Sequence, residues 1–318
     1  NHIRIKGDDM VIFNIEENFK VVEEWKKDEF PAWILMEEDE VNLLEKMFSY
    51  ECINECIDYK QEQRIDCFKD YTFILINIIE QVEKQIISKE LDIFLGKSFI
   101  VTVYKSNISL LYDLIEDIKE EKNCQLFKLD KSPSIILYYI LDRIIINNYN
   151  IISDLETEGD KIELEILKDP ESKHLNSLLF IRREAYKLRK LIKPIRYIGD
   201  TLVIDENEVI GEGNKVYFKN INSKIEKLIT SLDTLSQELA IVREAYESEL
   251  ANKTNELMKV FTIITAVFLP LELITAIFSM SFESMPFKTC PYGFYILVSI
   301  LSLMAIILLL IFKIRKFL

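Results

Sequence analysis

Tyr292 to Phe312 reads YGFYILVSILSLMAIILLLIF, 21 residues without a charge. As a helix rising ~1.5 Å per residue, it covers a bilayer hydrocarbon core of about 30 Å. A helix that is apolar all round must be covered on every side by lipid or protein. Core helices of soluble proteins are usually shorter and carry polar residues, so this run reads as a membrane span. Lys313, Arg315 and Lys316 follow at once, and such a basic cluster favours the cytoplasmic side. Leu257 to Phe278 is a second, less pure apolar stretch holding Lys259, Thr262, Thr265, Pro270, Glu272 and Thr275, and Ser279 to Pro291 separates the two. Two spans with a cytoplasmic C-terminus place the N-terminus there as well. The expected location is the plasma or inner cell membrane, multi-pass.

Residues 1–20 contain no apolar run of signal-peptide length, so the region before the spans reads as a cytosolic body. The first nine residues, NHIRIKGDD, precede a natural-looking start at Met10. They read as a trimmed start or a cloning remnant without function.

Charge supports this division. The 318 residues hold 39 Lys+Arg and 53 Asp+Glu, a net −14. From Leu257 onward there are five Lys/Arg and two Asp/Glu, which leaves 34 and 51 in residues 1–256, a net −17 against +3. An acidic body argues against a nucleic-acid partner. Only seven glycines and two histidines occur. Neither a G-x-G-x-x-G nor a P-loop is present; Gly211 and Gly213 form a lone G-E-G. No nucleophile–base arrangement stands out, so an enzyme is not expected, and no cofactor is expected. Cys52 and Cys56 are four apart and could share a metal on one helix face. With no histidine partner at hand, helix packing is the simpler reading. Cys290 lies between the spans and could at most pair between chains. Glu37, Glu38, Asp39 and Glu40 read as solvated or helix-start charge.

A helix facing only lipid has no reason to align polar groups, yet the first span does. Asn255, Thr262, Thr265, Glu272 and Ser279 are spaced 7, 3, 7 and 7, which keeps them on one helix face with Met258, Leu269 and Ala276. An ionisable residue within a span usually faces a bundle interior or a water-filled path. Glu272 is therefore a candidate functional residue, the alternative being a protonated glutamate bonded to a neighbouring helix. Two spans cannot enclose a pore. If the stripe lines one, several copies surround it with the first span innermost, and each stripe residue becomes a ring.

Within the body, residues 10–130 read as an α/β domain. Strands are expected at Met10–Ile15, Ala32–Met36 and Tyr71–Ile79, a strand pair at Leu91–Tyr104 around Gly96-Lys97-Ser98, and a helix over 107–122. Residues 131–256 read as helical. Helices are expected over 134–167, ending before Pro170, and over 172–193, ending before Pro194. Ile225, Leu228, Leu232, Leu235, Leu239, Val242 and Tyr246 then form a heptad seam spaced 3, 4, 3, 4, 3, 4, which predicts a long stalk helix running on into the first span. The expected division is 10–130, 131–256, a first span over 257–279, an outer loop over 280–291, a second span over 292–312 and a basic tail over 313–318.

Thr254–Phe287, TNELMKVFTIITAVFLPLELITAIFSMSFESMPF, resembles the first span and outer loop of the CorA family of divalent-cation channels. Asn255, Glu256, Met258, Lys259 and Thr262 fit its opening motif. FLGKSFIVTVY (Phe94–Tyr104), SIILYYILDRIIINNY (Ser134–Tyr149) and Val216–Ile225 resemble parts of its cytosolic domain, so the likeness covers nearly the whole chain in order. The resemblance implies an α+β cytosolic domain, two C-terminal spans, and a homopentameric funnel in membrane lipid. It also implies conduction of magnesium, and in some members cobalt, nickel or zinc, with intracellular magnesium sensed at acidic sites between subunits.

Three departures stand out. The family's Gly-Met-Asn is matched by Ser279, Met280 and Ser281, followed by a retained Phe282, Glu283, Met285 and Pro286. This leaves Ser279, Met280, Ser281 and Glu283 as the selectivity loop, with Ser281 a weaker partner for ion-bound water. Glu272 stands where the family has a neutral polar or small residue. Together with Ser281 it is a candidate metal contact that compensates for the missing asparagine. In place of aspartates the sensor segment carries Asn220, Asn222 and Ser223, whose neutral side chains bind magnesium weakly. The alternative to a channel is a non-conducting relative kept as a membrane scaffold or sensor.

Overall fold

The computed structural model describes residues 2–4, 10–58, 62–280, 286 and 291–315. The chain forms two compact units, Asn1–Leu164 with Ser172–Val242, and Glu165–Glu171 with Arg243–Leu318.

The first unit is built on a mixed sheet. Its strands are β2 (Val11–Asn14), β3 (Lys20–Val22), β5 (Ala32–Glu37), β6 (Arg64–Cys67), β7 (Tyr71–Val82), β8 (Gln85–Gly96) and β9 (Phe99–Tyr104), in the order β3-β2-β5-β9-β8-β7-β6. The β5–β9 pair is parallel and the others antiparallel. A separate two-stranded ribbon pairs β1 (His2–Arg4) with β4 (Glu24–Lys26). The long strands read as near-continuous apolar runs because both sheet faces are covered. On one face a 3-10 helix (Glu38–Leu44) and α1 (Tyr50–Ile57) bring Val41, Leu44, Cys52, Ile53 and Cys56 onto Phe73, Leu75, Phe94, Val101 and Val103. The chain continues as α2 (Ser109–Lys119), α3 (Gln125–Leu129), α4 (Pro133–Lys168) and α5 (Ser172–Ile204). Phe19 meets Phe127 of α3 edge-on at 5.2 Å. Asn147 of α4 donates to the Ile79 carbonyl at 2.6 Å, and the buried Glu184 of α5 accepts the Ile86 N–H at 2.7 Å.

The strands expected at 10–15, 32–36, 71–79 and 91–104 are present, and the 107–122 helix is α2. The second helix of the helical region does not stop before Pro194 but runs on to Ile204. The proline removes one helical hydrogen bond and crowds the preceding turn, at a cost of about 3 kcal/mol. Beyond it Ile195, Ile198 and Leu202 are buried in line with Leu188 and Ile192. At roughly 1.5–3 kcal/mol for each fully buried aliphatic side chain, that packing outweighs the proline. Gln63 Nε2 also donates to the Leu191 carbonyl at 2.5 Å, within the disturbed turn.

Helix α6 runs unbroken from Lys215 to Ser279 for 65 residues, through Pro270. At ~1.5 Å per residue its path is close to 100 Å. All seven seam residues from Ile225 to Tyr246 are buried. Helix α7 follows over Gly293–Ile314.

Candidate functional site: a polar line on the first span

Two described helices are long and apolar enough to cross a membrane, the distal part of α6 and α7. In the second unit each hides one line of residues. On α6 Ile263 and Val267 are buried, each 8% exposed, and Ala266, Pro270, Leu271, Ile274 and Phe278 are half-buried. On α7 Gly293 is buried, and Leu297, Leu301, Met304, Ala305, Leu308 and Phe312 are half-buried. Spacings of three and four place each set on one helix face, and pairing of the two spans accounts for both.

Asn255, Met258, Thr262, Thr265, Leu269, Glu272, Ala276 and Ser279 all lie on α6 and are all exposed in the single chain. At about 100° per residue, the centre of this line lies roughly 160° around the helix from the hidden line. The polar face is thus turned away from the second span, and Glu272 does not sit against α7. Phe261, Phe268 and Leu273 on the flanks are 62–64% exposed.

The hydroxyls on this line have a fixed role. Thr262 Oγ1 donates to the Met258 carbonyl at 2.7 Å, Thr265 Oγ1 to Phe261 at 2.8 Å and Ser279 Oγ to Ala276 at 2.7 Å. Each proton is committed to its own helix, so the oxygen lone pairs are what the face presents. Water bound to a cation points its protons outward, and acceptors are the matching groups.

Met280 closes the described part of the expected selectivity loop and is exposed. Ser281, Glu283 and the retained Phe282 and Met285 lie outside the described residues, as does Cys290. The sensor residues are not gathered into one site. Asn220 and Ser223 are exposed on α6, whereas Asn222 is half-buried against α5, donating to Asp200 Oδ1 at 2.8 Å. Gly199 allows that approach, since a Cβ there would lie 2.7 Å from Asn222 Oδ1 and 2.8 Å from Ile225 Cδ1. The lone glycine inside a helical pattern was the available sign of close helix contact. Among the described residues no three His, Cys, Asp or Glu side chains of one chain form a metal-binding group. Cys52 and Cys56 belong to the core, where burial pushes both thiols up, Cys52 to about 11. Metal ligation needs the thiolate, which burial here disfavours.

A large α/β body, one helix of 65 residues ending in an apolar segment, and a second apolar helix are the parts of a protein with two candidate membrane spans. The chain belongs to the family of CorA-like Mg2+ transporter proteins, whose model matches residues 33–316. The family is one of divalent-cation transporters. The chain is 24% identical over 268 residues to the cobalt/magnesium transport protein CorA of Thermotoga maritima, covering 84% of this chain and 76% of that one. It is 24% identical over 273 residues to the putative metal ion transporter YfjQ of Bacillus subtilis, covering 85% and 82%. Its fold matches the complete structure of the CorA magnesium transporter from Methanocaldococcus jannaschii with a TM-score of 0.79 at 20% identity, covering 97% of this chain and 98% of that one.

Proposed function

We propose that copies of this chain assemble as a ring, five by the family resemblance, and conduct divalent cations across the cell membrane. The pore is lined by Asn255, Met258, Thr262, Thr265, Leu269, Glu272, Ala276 and Ser279. The observation that carries this reading is the placement of the polar line opposite the face that the second span hides. The first span can then stand innermost and the second can face lipid. Hydroxyls held as acceptors suit a cation crossing with most of its water shell, as magnesium, which dehydrates reluctantly, requires. Magnesium is the substrate the family description suggests, and cobalt, nickel and zinc are the others to compare.

In this reading residues 10–130 and 131–256 form a cytoplasmic body, 257–279 and 292–312 cross the membrane, 280–291 is the outer loop, and 313–318 is a basic tail. Both termini are cytoplasmic, supported by Lys313 and Arg315 directly after the second span. Ser279, Met280, Ser281 and Glu283 form the outer mouth. The net negative charge of residues 1–256 attracts cations.

Full-length protein in liposomes loaded with fluorescent indicators for magnesium, cobalt, nickel and zinc tests this. Flux of at least one divalent cation is expected. Thr262→Val and Thr265→Val keep shape but remove the acceptors, and should each slow flux several-fold. Absence of flux for all four ions, or flux indifferent to both substitutions, would overturn the reading.

A further inference from the structure

We propose that Glu272, supplied by every copy around the pore, binds the permeating divalent cation directly through its carboxylate, so that this level of the pore takes an ion that has shed part of its water shell. The proposal rests on the ring of copies described above. Its ligand class is a divalent cation with a higher affinity for carboxylate oxygen than magnesium has, cobalt or nickel in particular.

Three observations converge on this residue. Between Val260 and Met280 the sequence contains no other ionisable side chain, and Glu272 falls on the polar line rather than on the hidden one. A charge at this depth is costly unless it meets a partner or water. Helix α7 carries no acid or base from Gly293 to Phe312 and so provides no charged partner. The second observation is chemical contrast along the line. Thr265 and Ser279 lie seven residues to either side, about 10 Å along the axis, and their hydroxyl protons are committed to the Phe261 and Ala276 carbonyls. Those neighbours present neutral acceptors suited to ion-bound water. Glu272 alone presents anionic oxygen that can replace a water.

The third observation is symmetry. One chain brings a single acid to this level, and among the described residues no acid cluster of one chain is placed to hold a metal. A site here is therefore completed only by the same residue of other copies. Magnesium releases water reluctantly and demands near-octahedral geometry. First-row transition metals bind the same oxygen ligands more tightly, with affinity rising from manganese through cobalt to nickel. A carboxylate ring between two hydroxyl levels therefore tilts binding toward cobalt and nickel, while the hydroxyl levels still pass hydrated magnesium.

The experiment combines equilibrium binding of radioactive cobalt to purified full-length protein with cobalt and magnesium flux in liposomes. It compares the wild type with Glu272→Gln and Glu272→Asp. The wild type is expected to bind one more cobalt ion per oligomer than the Gln variant, and the Asp variant to keep that ion. In Glu272→Gln, half-saturating cobalt for flux should rise roughly tenfold or more, with a clearly smaller change for magnesium. Unchanged cobalt binding and an unchanged cobalt-to-magnesium ratio in a conducting Gln variant would overturn the proposal and leave the pore reading intact. An equal rise for both ions would also overturn it, since the carboxylate would then act only as a fixed field. Glutamate-dependent cobalt binding without flux of any cation would sustain this site and overturn the conduction reading instead.

Discussion

At the scale of single residues, the body holds a carboxylate whose behaviour can be read from its surroundings. Asp92 of β8 is fully buried between Leu75 and Val103 of the neighbouring strands, with the Cys56 thiol beside it. Neither oxygen finds a conventional hydrogen-bond donor. Burial first, then the charge of Glu90, push its carboxyl up to about 8, against a smaller opposing pull from Lys105. A buried carboxyl in that state is held neutral. The unfolded chain gives up this proton near pH 4 and the folded chain keeps it until about 8. The stability tied to the proton is therefore fully present below pH 4 and is lost as pH rises toward 8. Asp92→Asn keeps the shape and is neutral at every pH. Its melting temperature relative to the wild type, measured on the full chain between pH 5 and 8.5, should climb with pH and level off above about 8. The corresponding free-energy slope is on the order of 1 kcal/mol per pH unit. A difference that stays flat across that range would mean Asp92 is ionised and compensated in the fold.

At the scale of elements, legibility followed the strength of the local signal. The heptad seam was visible because burial at three- and four-residue spacing repeats for more than 20 residues, and α6 buries every member of it. The Gly96-Lys97-Ser98 turn was visible through its glycine. The β7–β8 hairpin was not, and β8 begins at Gln85, six residues before the expected Leu91. Its turn places Glu83 and Lys84 at positive φ, 49° and 68°, where the usual signature is Asn-Gly or Asp-Gly. Pro194 misled in the opposite sense, as a stop signal that packing overrides. Pro194→Ala should restore the lost hydrogen bond and raise stability by about 1–3 kcal/mol in thermal denaturation. Leu228, fully buried on the seam, provides the converse test. Leu228→Ala should cost about 2–5 kcal/mol, and the exposed Ile241→Ala on the same helix about 0.5 kcal/mol or less. The polar line was legible as periodicity. Its position opposite the hidden line was not, because apolar residues occur all round the span and only the paired helices show which of them are covered.

At the scale of the whole molecule, the question is how an acidic protein responds to the cations around it. Residues 1–256 carry a net −17, but many of the acids are held in ion pairs, as in Lys224–Asp142, Arg189–Asp233 and Arg196–Glu226. The sensor segment presents only neutral Asn220 and Ser223 to solvent, and Asn222 is held against α5. Magnesium should then meet the body as a diffuse negative field rather than at a coordinating site. A diffuse field is screened within a Debye length of about 8 Å at physiological ionic strength, whereas direct coordination is much less so. The expected outcome is a rise in melting temperature with millimolar magnesium at low salt that largely disappears in about 0.3 M potassium chloride. It should be the same for the parent and for Asn220→Ala. Measuring both in the Glu272→Gln background keeps an ion bound at the proposed Glu272 site from contributing. A magnesium-dependent shift that survives the salt and is lost with Asn220 would place a specific regulatory site back on the body.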